Sequence, residues 1–581
     1  MRRPLTLFLL CLTACLPVPA AAADDPCALS LREQLRIPGQ MPRRQDGSEC
    51  DPRRSPPPPL LQDQPLPALP DRWRIVDSLP GYGDQRLDPF RRNPLKGDRP
   101  LRDDWFLVLT GISDTVLEPR RLPTPVGPQG SGSSDLNVFG EGEQLLFSET
   151  LSLEVAWLRG DTVFRPPDIE FRFTPVLNIN RSALDERRAL DTDPRAGESR
   201  IDEHLGVQAA FVDFHLRNVS DRYDFDSVRI GIQPFNADFR GFLFQDAPFG
   251  VRLFGTRDNN IHQYNLAWFR RLEKDTNSGL NDIGSRLRND DVLVGNYYWQ
   301  DFLAPGFTVQ GSLLYNRNRE TSFFYDNNGF LNRPASLGTE LPREYDVWYP
   351  GLSADGHVGR WNITASGYAA LGRDTPSVFT RGSADIRAFF GATEFGFDND
   401  WQRWRFSAVV ASGDRDPFDG TGEGFDAVFE NPVIAGADTS FWIRQGIPLI
   451  GGGGVTLSTR NGLLANLRSS KEHGQSNFVN PGLVLLGAGV DLDLTPQTRL
   501  SFNLNHLQFA ATEVLETARQ QAGLDADIGW DVSAAVIWRP LAIQNIVCRL
   551  SAAVLLPGGG YEQLFGDETG YSLLGNVVLT Y

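Results

Sequence analysis

The chain has 581 residues, a formal net charge of −17, 11% aromatic residues, 56 glycines and only 2 methionines and 5 cysteines. The acidic balance argues against nucleic-acid binding, which needs a basic surface. Beyond the first residues, no apolar run approaches the roughly 20 residues of a membrane-spanning helix, so a helical membrane protein is excluded as well. A transmembrane barrel stays open, because only alternate strand residues face lipid and the composition reads as soluble.

Residues 1–23 read as an export signal. Arg2 and Arg3 precede the apolar run Leu5 to Leu16, and Ala21-Ala22-Ala23 supplies a small-residue cleavage site. A rival reading takes Leu12-Thr13-Ala14-Cys15 as a lipoprotein box that leaves Cys15 lipidated. Residues 24–102 are Pro-rich and charged, with Pro56-Pro57-Pro58-Pro59 among them, which predicts a disordered periplasmic extension. Cys27 and Cys50 are close enough in sequence to pair in an oxidising compartment. Cys548 falls in an alternating segment and reads as a small lipid-facing hydrophobe.

Residues 103–581 read as strands. In Asp168 to Asn180, Ile169, Phe171, Phe173, Leu177 and Ile179 point one way, and Glu170, Arg172, Thr174, Asn178 and Asn180 the other. Similar segments recur at 147–157, 212–217, 227–233, 263–271, 307–316, 360–368, 403–410, 499–509, 530–539 and 547–555. Tight turns at Ala304-Pro305, Asp355-Gly356-His357, Asn399-Asp400 and Thr495-Pro496-Gln497 alternate with long polar connections, the outer-membrane pattern. The last segment, with Tyr571, Leu573, Gly575, Val577, Leu579 and Tyr581 on one face, ends on an aromatic, like the terminal strand read by the barrel-insertion machinery. These features predict an all-β, antiparallel up-and-down barrel of about 18 strands in the outer membrane of a Gram-negative bacterium, in contact with outer-membrane lipid.

With the polar face turned inward, Arg172, Arg229, Arg252, Arg387 and Arg549 line the lumen with Glu170, Asp213 and Asp385, and Gln233 and Asn265 add amides. An arginine excess favours an anionic solute; ion pairing that braces the wall is the competing expectation. The connection 413–481 carries Trp442, Arg444, Arg468 and Lys471 and folds inward as a constriction or outward as cover. Thr512 to Gly523 reads as a short capped helix. Asp414, Asp416, Asp419 and Glu423 suggest an oxygen-ligand Ca2+ loop, one residue out of EF-hand spacing; no other cofactor is expected.

The six histidines, His204, His215, His262, His357, His473 and His506, form no recognisable nucleophile or zinc motif, so no enzyme is expected. A barrel that sheaths or docks a partner complex is the alternative to a channel. The segment Ser412-Gly413-Asp414-Arg415-Asp416-Pro417-Phe418-Asp419-Gly420, leading into Gly424-Phe425-Asp426, resembles a segment of the alginate-export family of outer-membrane barrels, and Arg229 to Gln233 is similar to a strand motif there. The resemblance implies an eighteen-strand monomeric barrel whose arginine-rich pore exports an acidic polysaccharide.

Overall fold

A computed structural model describes residues 93–123, 140–160, 166–222, 224–334, 337–450, 460–464, 467, 471–475, 477–541 and 543–581. The export signal, the possible Cys27–Cys50 pair and most of the Pro-rich extension lie outside them, as does Arg468.

Eighteen strands form the wall: β1 Trp105–Arg121, β2 Gly140–Arg159, β3 Ile169–Glu186, β4 Ser199–Asn218, β5 Phe225–Ile232, β6 Phe249–Arg257, β7 His262–Leu272, β8 Leu287–Trp299 and β9 Phe307–Asn318, then β10 Glu344–Val358, β11 Trp361–Thr375, β12 Ala384–Asn399, β13 Gln402–Ala411, β14 Leu483–Thr495, β15 Thr498–Gln508, β16 Asp527–Trp538, β17 Ile546–Pro557 and β18 Gly570–Thr580. Each pairs antiparallel with its neighbour in sequence, and β18 returns to β1 through Ile112↔Thr580 to Arg121↔Tyr571, so the sheet is closed. A two-residue strand, Thr421–Gly422, adds to it in parallel beside Asp385 and Ile386. Closure removes the free edges that lipid cannot hydrogen-bond.

Connections alternate strictly. One end carries the two-residue turns Gly359-Arg360, Asp400-Trp401 and Pro496-Gln497. The other carries the long connections, the longest from Ala411 to Leu483. The expected turn at 355–357 sits slightly later, because β10 keeps pairing to Val358↔Trp361.

Alternation of side chains makes the outside apolar. Leu153, Phe173, Leu352, Phe406, Leu486 and Leu573 are each 48–64% exposed. Trp105, Trp157, Trp299, Trp361, Trp404 and Trp538 lie at the short-turn ends of their strands, and Trp268, Trp348 and Trp530 near the long-loop ends. Two aromatic girdles flanking an apolar band are what a bilayer demands of a barrel. Cys548 lies on the same outward register as Leu550, which is 66% exposed.

Residues 93–104, the tail of the predicted extension, are ordered. They double back along β1, where Lys96 bridges Val108 antiparallel, and Asn93 is fully buried and donates to the Tyr581 hydroxyl at 2.8 Å. This segment covers the part of β1 that extends past the end of β18.

The lumen holds the core. Leu243, Phe244, Phe425, Phe441, Ile443, Leu449 and Leu467 are all 0–1% exposed, and none of them is on a wall strand. They come from long connections that turn into the barrel. Each such side chain contributes about 1.5–3 kcal/mol by leaving water.

Candidate functional site: the lumen and its inward loops

The inward loops are held by carboxylates on or near the wall. In the connection after β5, Asp238 accepts from the Arg240 and Phe242 amides through Oδ1 (2.9 and 3.1 Å) and from the Leu243 amide through Oδ2 (3.0 Å). Tyr368 of β11 donates its hydroxyl to the same Oδ2 at 3.1 Å. The ring of Tyr368 lies flat over Gly351, directly opposite on β10, where a Cβ would stand 2.2 Å from the ring. Glycine there lets the tyrosine lie against the wall and aim at the loop.

The long connection after β13 also folds inward. Its short helix α1, Phe441–Gln445, is capped by Ser440, whose hydroxyl accepts from the Ile443 amide at 3.0 Å. Asp531 of β16, only 1% exposed, accepts from the Phe441 and Trp442 amides, both at 3.1 Å, and from the Ser440 hydroxyl. A helix start is the favoured place for a carboxylate, since its first amides have no partner within the helix. Further along, Glu118 of β1 accepts from Gln445 Nε2 at 2.7 Å and lies 3.5 Å from Arg444 Nη2. Trp442 is 3% exposed, and its indole N–H donates to the Leu463 carbonyl at 3.1 Å. Lys471 begins a single 3-10 turn, Lys471–His473.

The short-turn half of the lumen is wetter. Arg172 reaches Glu154 (3.2 Å) and Glu170 (2.7 Å), Arg229 reaches Asp213 (2.8 Å), Arg405 reaches Asp491 (3.0 Å) and Arg549 reaches Asp438 of the inward loop (3.2 Å). Side chains here keep intermediate exposure, 32% for Arg172 and 25% for Arg549. Like charges stand directly opposite where Arg229 of β5 pairs in register with Arg252 of β6, an arrangement unfavourable by itself. It persists because Asp213 neutralises Arg229, while the Phe211 ring (4.2 Å) and the Phe254 ring (4.5 Å) lie under Arg229 and Arg252. Arg252 donates Nε to Asn265 at 2.7 Å and makes no ion pair among the described residues.

Several expectations are corrected. The lumen does not carry a free arginine excess: of the five arginines expected there, Arg172, Arg229 and Arg549 are paired with carboxylates. Arg387 is not in the lumen. It is 69% exposed and shares the outward register of Phe389, while Ile386 and Ala388 point in, and it meets Asp385 on the outside at 3.5 Å. The one-residue phase decides the face, and the long-loop rim of β12 stands above the apolar band, where charges are tolerated. Gln233 is fully buried, with its amide on the Gly250 carbonyl at 3.2 Å, and lines no pore.

The acidic loop does not converge on a point. Asp414 Oδ1 accepts from the Asp416 amide (3.1 Å), Asp416 Oδ1 from the Phe418 amide (3.1 Å) and Asp419 Oδ1 from the Thr421 amide (2.7 Å). Each carboxylate closes its own turn two residues on, and no metal-ligand group of three forms among the described residues. Burial, reinforced by Asp419 and Glu423 nearby, pushes the Asp414 carboxyl up to about 7. The helix expected from Thr512 forms as α2, Glu513–Arg519, but the Thr512 hydroxyl does not cap it.

Sequence reading missed the residues that hold the loops: Glu118, Asp238, Asp531 and Glu394 of β12, which accepts from the Ala435 amide of the inward connection at 3.1 Å. Asp531 left a signal, being an acid on the inward register of a strand whose neighbouring inward positions are Gly529, Ser533 and Ala535. Such a charge inside a barrel needs a partner, and only an inward loop supplies one here.

No protein-family model matches the sequence, and no curated protein matches it. Among solved structures, the chain is similar to OccK9 (OpdG) of Pseudomonas aeruginosa, at 13% identity and a TM-score of 0.45 over 82% of this chain and 98% of that one. It is similar to OccAB3 of Acinetobacter baumannii, at 8% identity and a TM-score of 0.45 over 82% and 99%. It is also similar to Pseudomonas aeruginosa OpdK with vanillate, at 11% identity and a TM-score of 0.42 over 81% and 98%. The outer-membrane placement follows from the chain's own wall: a closed, even-stranded antiparallel barrel with an apolar band and two aromatic girdles is an outer-membrane protein of a Gram-negative bacterium.

Proposed function

We propose that the protein is a solute-restricted outer-membrane channel that passes a small anionic solute, with the loop after β13 as its constriction. The observation that carries this reading is Arg252. It faces the wetter half of the lumen across from Arg229, stacked on Phe254 and without a carboxylate of its own. A guanidinium on an aromatic face beside a second guanidinium suits a carboxylate attached to an apolar or ring-bearing body. The loop core in the other half favours a small solute. An acidic polysaccharide of the alginate type fits the same charge, but its passage requires α1 to leave Asp531.

The test is single-channel recording of the refolded barrel in a planar bilayer, with reversal potential under a salt gradient. Anion-selective current, blocked by a small aromatic carboxylate and weakened in selectivity by Arg252→Ser, is the expected result. Block by a polyuronate instead would favour polysaccharide export. No current from the folded barrel would overturn the channel reading and favour a barrel that docks a partner complex.

A further inference from the structure

At the long-loop end, Arg288 stands on the second residue of β8 with no exposed surface. Its Nε donates to Glu273 Oε2 at 2.9 Å. Both of its outer nitrogens, Nη1 and Nη2, are buried and have no hydrogen-bond partner among the described residues. The other oxygen of Glu273 accepts from Arg333 Nη2 at 2.8 Å, Arg333 Nη1 lies 3.3 Å from Glu320, and Glu320 pairs with Arg286 at 2.6 Å. The chain Arg288–Glu273–Arg333–Glu320–Arg286 thus holds three cations and two carboxylates. Its Arg286 end is 53% exposed and screened by water, whereas its Arg288 end is 0% exposed. The surplus positive charge therefore falls on the buried end, at the unpartnered guanidinium edge.

Gly474 packs against the stem of Arg288, because a Cβ on it would lie 3.6 Å from Arg288 Cδ and Arg333 Nη2 and 3.7 Å from Arg288 Nε. His473 beside it is 1% exposed, with Nδ1 unpartnered. Burial first, and then Arg288 and Arg333, hold that ring down to about 3, so it is neutral at ordinary pH. It offers a polar group without adding charge. A buried guanidinium with two idle donors is expensive, and the two N–H groups of its outer edge can converge on one anion.

We propose that a monovalent inorganic anion of the halide class is bound at the outer edge of Arg288, whose stem the His473-Gly474 turn packs against, fastening the end of the long inward connection to β8. Arg333 Nε, which donates to the His473 carbonyl at 2.9 Å, and Asn318, which donates to the Gly474 carbonyl at 3.2 Å, hold the same turn from the other side.

The test is anomalous diffraction from crystals of the full-length refolded protein grown in sodium bromide. A bromide peak within hydrogen-bonding reach of Arg288 Nη1 and Nη2 is the expected result. A water there without anomalous signal overturns the proposal, as does a peak confined to exposed arginines. In solution, bromide replacing gluconate is expected to raise the unfolding midpoint by about 2–4 °C. Arg288→Lys, which keeps the charge but not the forked edge, is expected to lose that rise. An equal rise in wild type and Arg288→Lys would place the effect elsewhere and overturn the assignment.

Discussion

The two halves of the lumen use the same residue types to different ends. At the short-turn end, Arg172 with Glu154 and Glu170, and Arg549 with Asp438, keep a quarter or more of at least one partner in contact with water. At the long-loop end, Arg271, Lys274, Asp246, Asp290, Glu273 and Arg333 are all 0–7% exposed and interlock, with Lys274 Nζ 2.5 Å and Arg271 Nε 3.4 Å from Asp246. An ion pair in water adds little stability and leaves its charges available to a solute. A pair out of water is costly to break and available to nothing. The same arginine–carboxylate chemistry therefore leaves charges in contact with water in one half and locks loops in the other.

This contrast is sharpest where one partner is removed. Asp246→Ala takes the carboxylate away from buried Lys274 and leaves Arg271 to Asp290, and a loss of about 3–5 kcal/mol in the opening free energy of the loop assembly is expected, read by hydrogen exchange in the folded barrel. A loss under 1 kcal/mol would mean that the long-loop half is hydrated. Asp531→Ala leaves two amides and the Ser440 hydroxyl of the α1 start without their acceptor. A cost of about 1–3 kcal/mol is expected locally, with a higher single-channel conductance; unchanged conductance would show that α1 does not constrict.

The acidic loop gives a pH test between these extremes. The Asp414 carboxyl is raised to about 7, so the folded loop holds its proton over a range where the unfolded chain, near 3.9, has lost it. Stability of residues 412–424 should therefore fall as pH rises from about 4 through 7, and Asp414→Asn should abolish that slope. Hydrogen exchange at pH 5 and pH 8 reads it; a wild-type slope of the opposite sign would refute the assignment. The smallest effect on stability belongs to the short-turn half. Arg252→Ser should change stability by less than about 1 kcal/mol, while moving the reversal potential toward cations. A large stability loss there would make Arg252 a brace and not part of a solute surface.

Much of the wall is legible in the sequence because a barrel strand carries its own address. Phe171 and Phe173 against Glu170 and Arg172 reveal both the strand and its two faces from a dozen residues, since the period of two is local. Short turns such as Pro496-Gln497 mark the end they lie on. The alternation fails at a rim, where the apolar band stops, and there Arg387 was placed on the wrong face.

From the sequence alone come an antiparallel barrel of about eighteen strands and the lipid-facing side of most of them. What fills the barrel is settled only in three dimensions. The loop carboxylates Asp414, Asp416 and Asp419 look like a cation site in line but close local turns in space, and Asp531 and Glu118 meet partners far along the chain. Strand pairing is dictated by neighbours in sequence, whereas a loop inside a lumen is placed by charges and apolar surface contributed by strands all around it, and no periodicity in the chain records those meetings.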